Sequence, residues 1–230
     1  MSIRHAIYFA PAPGTHLHEL GSRWIGRDAF TGETREQPGV TGIGVVTGDP
    51  RRYGFHATLK PPFALRGTVT AEALPRAVAA LAAGQQRFSV ALKVGVLGQF
   101  LALVPREPSE ALQRLAERAV RDLDGFRQPP SEDELARRRL ADLTPSQERH
   151  LAEWGYPYVL DDFRFHMTLT GRLPPAVIER FKSAAEAHFA PALAEPVAID
   201  GLTLFTEAQR GAAFMATRHF PFFSPSEVAA

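Results

Sequence analysis

Two stretches of the chain alternate apolar and polar residues one for one. In residues 53–60 the apolar positions are Phe55, Ala57 and Leu59 and the polar ones His56, Thr58 and Lys60. In residues 160–170, Phe163, Phe165, Met167 and Leu169 alternate with Arg164, His166, Thr168 and Thr170. Successive side chains of a strand point to opposite faces, so each stretch predicts a half-buried strand whose polar face presents His-x-Thr. Pro61 and Pro62 cannot donate to a sheet ladder and are expected to stop the first strand. Runs rich in β-formers predict further strands over residues 3–10, 88–94, 99–104, 197–205 and 213–219, and one near 42–47 inside an ordered loop of residues 31–52.

Other segments carry helical spacing. Leu112, Leu115, Ala116, Ala119, Val120 and Leu123 recur on one face of residues 109–123, with Ser109 as the start signal. Leu74, Val78 and Leu81 do the same in residues 71–83. Helices are also expected over residues 16–30 and 174–189. Residues 128–154 turn charged and helical, with new starts at Pro129-Pro130-Ser131 and Thr144-Pro145-Ser146, and read as a helical insertion. The tail from Pro221 on is expected to be irregular.

The order strand, helix, strand, strand occurs twice, from about residue 53 to 104 and again from about 160 to 219. This points to a duplicated unit, and so to one bilobal domain of residues 1–230 with two lobes around one cleft. β-Rich lobes with helices on one face make the expected class α+β.

Composition narrows the chemistry. There are 26 basic and 25 acidic side chains, a formal charge of +1, which gives little of the attraction that long nucleic acids require. A small ligand is favoured over a polymer. With 0 cysteines, disulfides, thiolate nucleophiles and cysteine-held metals are excluded. No run reaches the roughly 18 apolar residues of a membrane span, and the first segment breaks at Pro11 before a signal core forms. A cytoplasmic protein is expected.

With 8 histidines in 230 residues, chance supplies roughly half a His-x-Thr copy. Two copies, each followed by Leu at matching places in the repeat, mark a shared site of His56, Thr58, His166 and Thr168. Imidazoles titrate near neutrality, so a neutral one can take a proton from water while a charged one gives a proton to a leaving oxygen. Threonine hydroxyls can donate to the nonbridging oxygens of a phosphate. The chemistry is general acid–base displacement at phosphorus, with no metal or cofactor required and an activity optimum near neutral pH.

The paired tetrads His56-Ala57-Thr58-Leu59 and His166-Met167-Thr168-Leu169 resemble the signature of the two-histidine (2H) phosphoesterase superfamily, which includes RNA 2′,5′-ligase-like proteins and cyclic nucleotide phosphodiesterases. Residues 6–11, 24–29 and 53–63 are similar to the branch named for phosphonate metabolism. The resemblance implies a duplicated α+β fold with two antiparallel sheets flanking a central cleft, one tetrad from each lobe. It also implies a metal-independent phosphodiesterase acting on a cyclic or small phosphodiester. Two alternatives stand beside it: a binding module that holds a nucleotide or RNA end without turnover, and a 2′,5′ RNA ligase using the same residues in reverse.

Five more residues are candidates for binding substrate. Lys60 continues the first polar face and Thr170 the second. Tyr8 lies in the first strand, and Tyr156 and Tyr158 lead into the second tetrad. His16-Leu17-His18-Glu19 reads as a polar loop before it reads as a metal site. Residues 132–139 form a solvated helix face whose Arg137, Arg138 and Arg139 reach an anionic ligand if the helix folds over the cleft.

Overall fold

The computed structural model describes residues 3–70 and 72–223. In chain order its elements are β1 (Arg4–Phe9), α1 (His16–Ile25), α2 (Ile43–Val46), α3 (Gly48–Tyr53), β2 (Ala57–Ala64), α4 (Ala73–Ala83), β3 (Phe88–Val90), β4 (Leu92–Leu97) and β5 (Phe100–Pro105). Then follow α5 (Glu110–Arg121), α6 (Glu132–Arg138), α7 (Pro145–Trp154), β6 (Met167–Thr168), α8 (Pro175–Phe189), β7 (Val197–Ile199), β8 (Gly201–Glu207) and β9 (Met215–Pro221). The class is α+β. A seven-stranded antiparallel sheet has the order β4-β5-β6-β2-β1-β8-β9, and β3 pairs with β7 in a small second sheet.

The large sheet divides at one residue pair, Ala57↔Met167, into β4-β5-β6 and β2-β1-β8-β9. These are the two antiparallel halves, and a tetrad strand sits at the inner edge of each. The repeat is β2-α4-β3-β4-β5 followed by β6-α8-β7-β8-β9. Its two copies exchange parts: the β4–β5 hairpin of the first lies beside β6 of the second, and α8 packs on β4 and β5. In the other half α4 packs on β8 and β9. The apolar face of each helix therefore meets the sheet of the opposite copy, which ties both halves into one core around Ile7, Phe9, Leu59, Leu103, Leu115, Phe181 and Ile199.

Several elements depart from the sequence pattern. Within residues 42–47, Ile43–Val46 form α2, not a strand: both edges of β1 are already taken by β2 and β8, and Val45 is exposed. The first helix stops at Ile25, where Gly26 adopts φ 82° and donates to the carbonyls of Ser22 and Arg23, a left-handed cap that suits glycine. The second alternating stretch is mostly extended chain without ladder partners: Leu160–Asp162 is a 3₁₀ turn and only Met167–Thr168 pair. The expected strands 88–94 and 197–205 each split, at Ala91 and Asp200, so that their first pieces meet in the small sheet.

The first tetrad strand does not stop at the prolines. It runs to Ala64, and the register moves from His5↔Phe63 to Ile7↔Lys60 across Pro61 and Pro62. A bulge is where a sheet tolerates residues without a donor. A second shift follows, with Ile7↔Lys60 and Tyr8↔Thr58 as neighbouring pairs. It turns Lys60 away from the polar face on which Thr58 sits.

Within residues 128–154 lie α6 and α7. Ser131 and Thr144 each cap their helix in a reciprocal box with Glu134 and Gln147. Ala71, the first residue of the helix expected over residues 71–83, and the tail beyond Phe223 lie outside the described residues. Among the described residues no helix is long and apolar enough to cross a membrane.

Candidate active site

The antiparallel pair Ala57↔Met167 sets His56 across from Thr168 and Thr58 across from His166. Ala57 and Met167 are fully buried on the core side. The four flanking side chains occupy the opposite face and stay partly exposed. His56, Thr168 and Thr170 border a cleft of about 270 Å³ that Asp49, Pro50, Tyr53, Phe100, Gly171 and Arg172 complete. The structure thus brings both His-x-Thr pairs onto one surface.

Each imidazole is held by the same device. His56 Nδ1 lies 2.9 Å from the Gly54 carbonyl and His166 Nδ1 lies 2.7 Å from the Arg164 carbonyl, both two residues back along the chain. A carbonyl only accepts, so Nδ1 carries the proton in both rings and Nε2 is the nitrogen left for a ligand. His56 Nε2 is 3.2 Å from Thr58 Oγ1, which donates to it when the ring is neutral.

Local structure fixes the first device. Gly54 has φ 83°, and a Cβ there would meet Ala29 Cβ at 2.4 Å, so only glycine turns its carbonyl onto the ring. The preceding helix α3 ends on carbonyls that buried Arg27 collects: its Nε donates to Arg51 O at 2.9 Å and its Nη2 to Arg52 O at 3.1 Å and Phe214 O at 2.7 Å. The bonds to Arg51 O and Arg52 O satisfy carbonyls that a helix end leaves without partners, and the bond to Phe214 O ties this corner to the chain before β9.

The tyrosine Tyr8 is placed behind His56, not in the open cleft. It is buried, and its ring stacks on the imidazole at 3.9 Å and 24°. Burial against this wall, opposed by the Gly54 hydrogen bond and aided by the His166 charge, pushes His56 down to about 4. The Tyr8 phenol is itself raised well above its ordinary value, chiefly by burial.

Lys60 is committed elsewhere, whereas Thr170 borders the cleft with its hydroxyl oxygen engaged by the backbone. Lys60 is buried, and its Nζ donates to Val120 O at 3.1 Å and Asp124 Oδ1 at 3.2 Å on the α5 side. Burial pushes it down to about 8, against the pull of Asp124. Thr170 is fully buried, and its hydroxyl accepts from Leu101 N at 3.0 Å. Replacing Asp124 by Ala, which strands a buried cation, is expected to cost about 3 kcal/mol of stability in urea denaturation. Lys60→Met is expected to cost much less, because Asp124 keeps two bonds to Arg127, at 2.8 and 3.0 Å.

Tyr156 and Tyr158 stand edge to face at 5.6 Å, and Tyr158 borders a different, larger cavity. His16 and His18 lie on the first turn of α1, not in a loop. His18 is buried 3.4 Å from Asp28 Oδ1. No group of three or more His, Asp or Glu among the described residues is placed to hold a metal ion. The residues that the sequence did not single out are Tyr53, Phe100 and Arg172. Phe100 packs 5.9 Å from the His166 ring, brought there by the pairing of β5 with β6, for which a single sequence carries no local signal.

The family described as "Protein of unknown function (DUF1045)" matches residues 58–215, and the chain belongs to it. Among curated proteins it is similar to "Ribose 1,5-bisphosphate phosphokinase PhnN" of Janthinobacterium sp. (strain Marseille), 41% identical over 97% of this chain and 52% of that one. The protein of the same name from Laribacter hongkongensis (strain HLHK9) is 36% identical over 94% of this chain and 51% of that one. The chain spans about half the length of the curated relatives it matches. Its three lysines, Lys60, Lys93 and Lys182, follow Leu or Phe, so it contains no Gly-Lys phosphate-binding loop of the kind many kinases use. Among solved structures it is similar to E. coli LigT complexed with 3′-AMP, at 16% identity over 97% of this chain and 100% of that one, with a TM-score of 0.45.

Proposed function

We propose that this protein is a phosphoesterase that opens a small cyclic phosphodiester by acid–base catalysis between His56 and His166. The observation that carries the reading is the mirrored pair of imidazoles on adjacent antiparallel strands, each with Nδ1 tied to a carbonyl and each with a threonine beside it. His56, held neutral at pH 7 by its surroundings, is the base: its Nε2 takes a proton from water as the water oxygen bonds to phosphorus. The opposite ester P–O bond breaks, and His166 protonates the departing alkoxide. Thr168 donates to a nonbridging oxygen, and Thr58 does so when its hydroxyl turns from His56 Nε2 to the phosphate, which frees Nε2 for the water proton. The product is a phosphomonoester with a free neighbouring hydroxyl, and two proton transfers leave the histidine pair ready to reset through solvent.

The names of the relatives suggest where such a step belongs. Opening the 1,2-cyclic phosphate of a ribose 5-phosphate, with cleavage at O2, yields ribose 1,5-bisphosphate, the compound both names carry. The resemblance to the phosphonate-metabolism branch points the same way. A cytoplasmic enzyme acting without a metal is part of this reading.

The deciding experiment is a turnover screen with purified protein over ribose and nucleoside cyclic phosphates, before and after prolonged chelation. Ring opening that survives the chelator is expected. Tight binding of cyclic phosphates with no turnover would instead identify a binding module. Loss on chelation with recovery on adding a divalent metal would overturn the two-histidine mechanism.

A further inference from the structure

A cavity of about 950 Å³ lies between the helical insertion and the far ends of β1 and β2. Its lining includes Arg4, Arg127, Arg137, Arg138 and Arg210 and a single carboxylate, Glu134. In a chain whose charges balance to +1, five guanidiniums facing one space are a strong local excess. Three of them are matched: Arg4 bonds Glu207 at 2.5 Å, Arg127 bonds Asp124 at 2.8 Å and Arg210 bonds Glu134 at 2.7 Å. Arg137 and Arg138 have no carboxylate partner among the described residues. Arg138 instead lies over the Tyr156 ring at 4.7 Å.

The two cavities share no lining residue, and ring contacts run between their walls. Arg4 sits over Phe214 at 5.6 Å, and Phe214 stacks at 5.2 Å on Tyr53, which borders the cleft. Arg4 and Tyr8 are four residues apart on one face of β1, about 13 Å by strand rise. Guanidinium groups match phosphate oxygens in pairs and stay charged at any physiological pH. A cavity of this size suits a small molecule.

We propose that the arginine cavity is a second anion site, which receives a non-reacting phosphate of the substrate while the cyclic diester lies at the tetrads. The inference rests on the phosphoesterase reading and gives the further phosphate of a ribose cyclic phosphodiester a place of its own. Arg137 and Arg138, free of carboxylates, are the groups that bind it, and Arg4 and Arg210 deepen the field. The insertion thereby acquires a role, as the wall that brings these two arginines over the site.

The test compares adenosine 2′,3′-cyclic phosphate with its 5′-phosphorylated form, in the full-length protein and in the Arg137→Ala/Arg138→Ala variant. The native protein is expected to prefer the 5′-phosphorylated substrate in kcat/KM by about 10- to 100-fold, and the double variant to lose that preference. Merely structural damage would lower both substrates together and leave their ratio standing. No preference in the native protein, or an equal preference in the variant, would overturn the proposal.

Inorganic pyrophosphate provides a readout that needs no turnover. Its dissociation constant by calorimetry should rise about tenfold in the double variant and stay unchanged in Arg114→Ala, an exposed position that lines neither cavity. It should fall in Glu134→Gln, which keeps the helix cap and removes the one carboxylate. If neither adenosine compound is turned over, the phosphoesterase reading is left to the wider screen and the titration alone decides here: arginine-dependent pyrophosphate binding sustains the anion site, and unchanged binding removes it.

Discussion

Replacing either His56 or His166 by Ala is expected to lower turnover of a cyclic phosphodiester by about 10²- to 10⁴-fold with the fold intact. Both losses are expected because ring opening needs a proton taken on one side of phosphorus and a proton given on the other. The His56 side chain bonds only Gly54 O and Thr58 Oγ1, and the His166 side chain only Arg164 O, so neither substitution strands a buried charge. The double variant should be little worse than either single one, since acid and base act as a unit. Thr58→Val and Thr168→Val keep the shape and lose a donor, and a fall of roughly 10- to 10³-fold is expected. The measurement is kcat/KM on the substrate found by the screen, with circular dichroism to check folding. Full activity in either histidine variant would remove that residue from the mechanism.

The parts of this molecule that were legible in its sequence are those fixed by local pattern. Ser109, Ser131 and Thr144 announce helices and cap them. The alternation of residues 163–169 predicts which side chains are buried, although most of that stretch has no ladder partner: Phe165, Met167 and Leu169 are buried while His166 and Thr168 are partly exposed. The duplication was legible too, because both copies kept their order of elements.

What was not legible depends on pairing across long separations. Lys60 looks like a member of the polar face until the bulge opposite Ile7 and Tyr8 turns it toward α5 and Asp124. Tyr8 reads equally well as a core or a ligand residue; its register opposite Thr58 is what lays it against His56. The exchange of hairpins between copies brings Phe100 to His166. Five arginines scattered from residue 4 to residue 210 have no common motif, and only the fold gathers them around one cavity.

Acid tolerance is the second large effect expected, and its sign follows from the surroundings of His56. Burial beneath Tyr8 is the main cause that pushes this imidazole down to about 4, and the nearby His166 charge adds to it, while the Gly54 carbonyl works in the opposite direction. A lowered value means that the ring stays neutral, and able to accept a proton, well below the pH at which an ordinary histidine is charged. The acid limb of kcat/KM, which reports the free enzyme, is therefore expected near pH 4, more than two units below an ordinary histidine value of about 6.5. Below it the rate should fall about tenfold per pH unit. The alkaline limb marks loss of the proton donor, and both limbs belong to the coupled pair. Tyr8→Ala opens the wall behind the ring, so the penalty on the charged form shrinks and the limb should move up toward 6.5, with activity lost at higher pH than in the native protein. His166→Ala should move the His56 titration the same way, by removal of a like charge, and this is readable by NMR even where turnover is gone. A native acid limb at 6 to 7 that Tyr8→Ala leaves in place would show that burial does not tune His56, and the assignment of His56 as the base would fall with it.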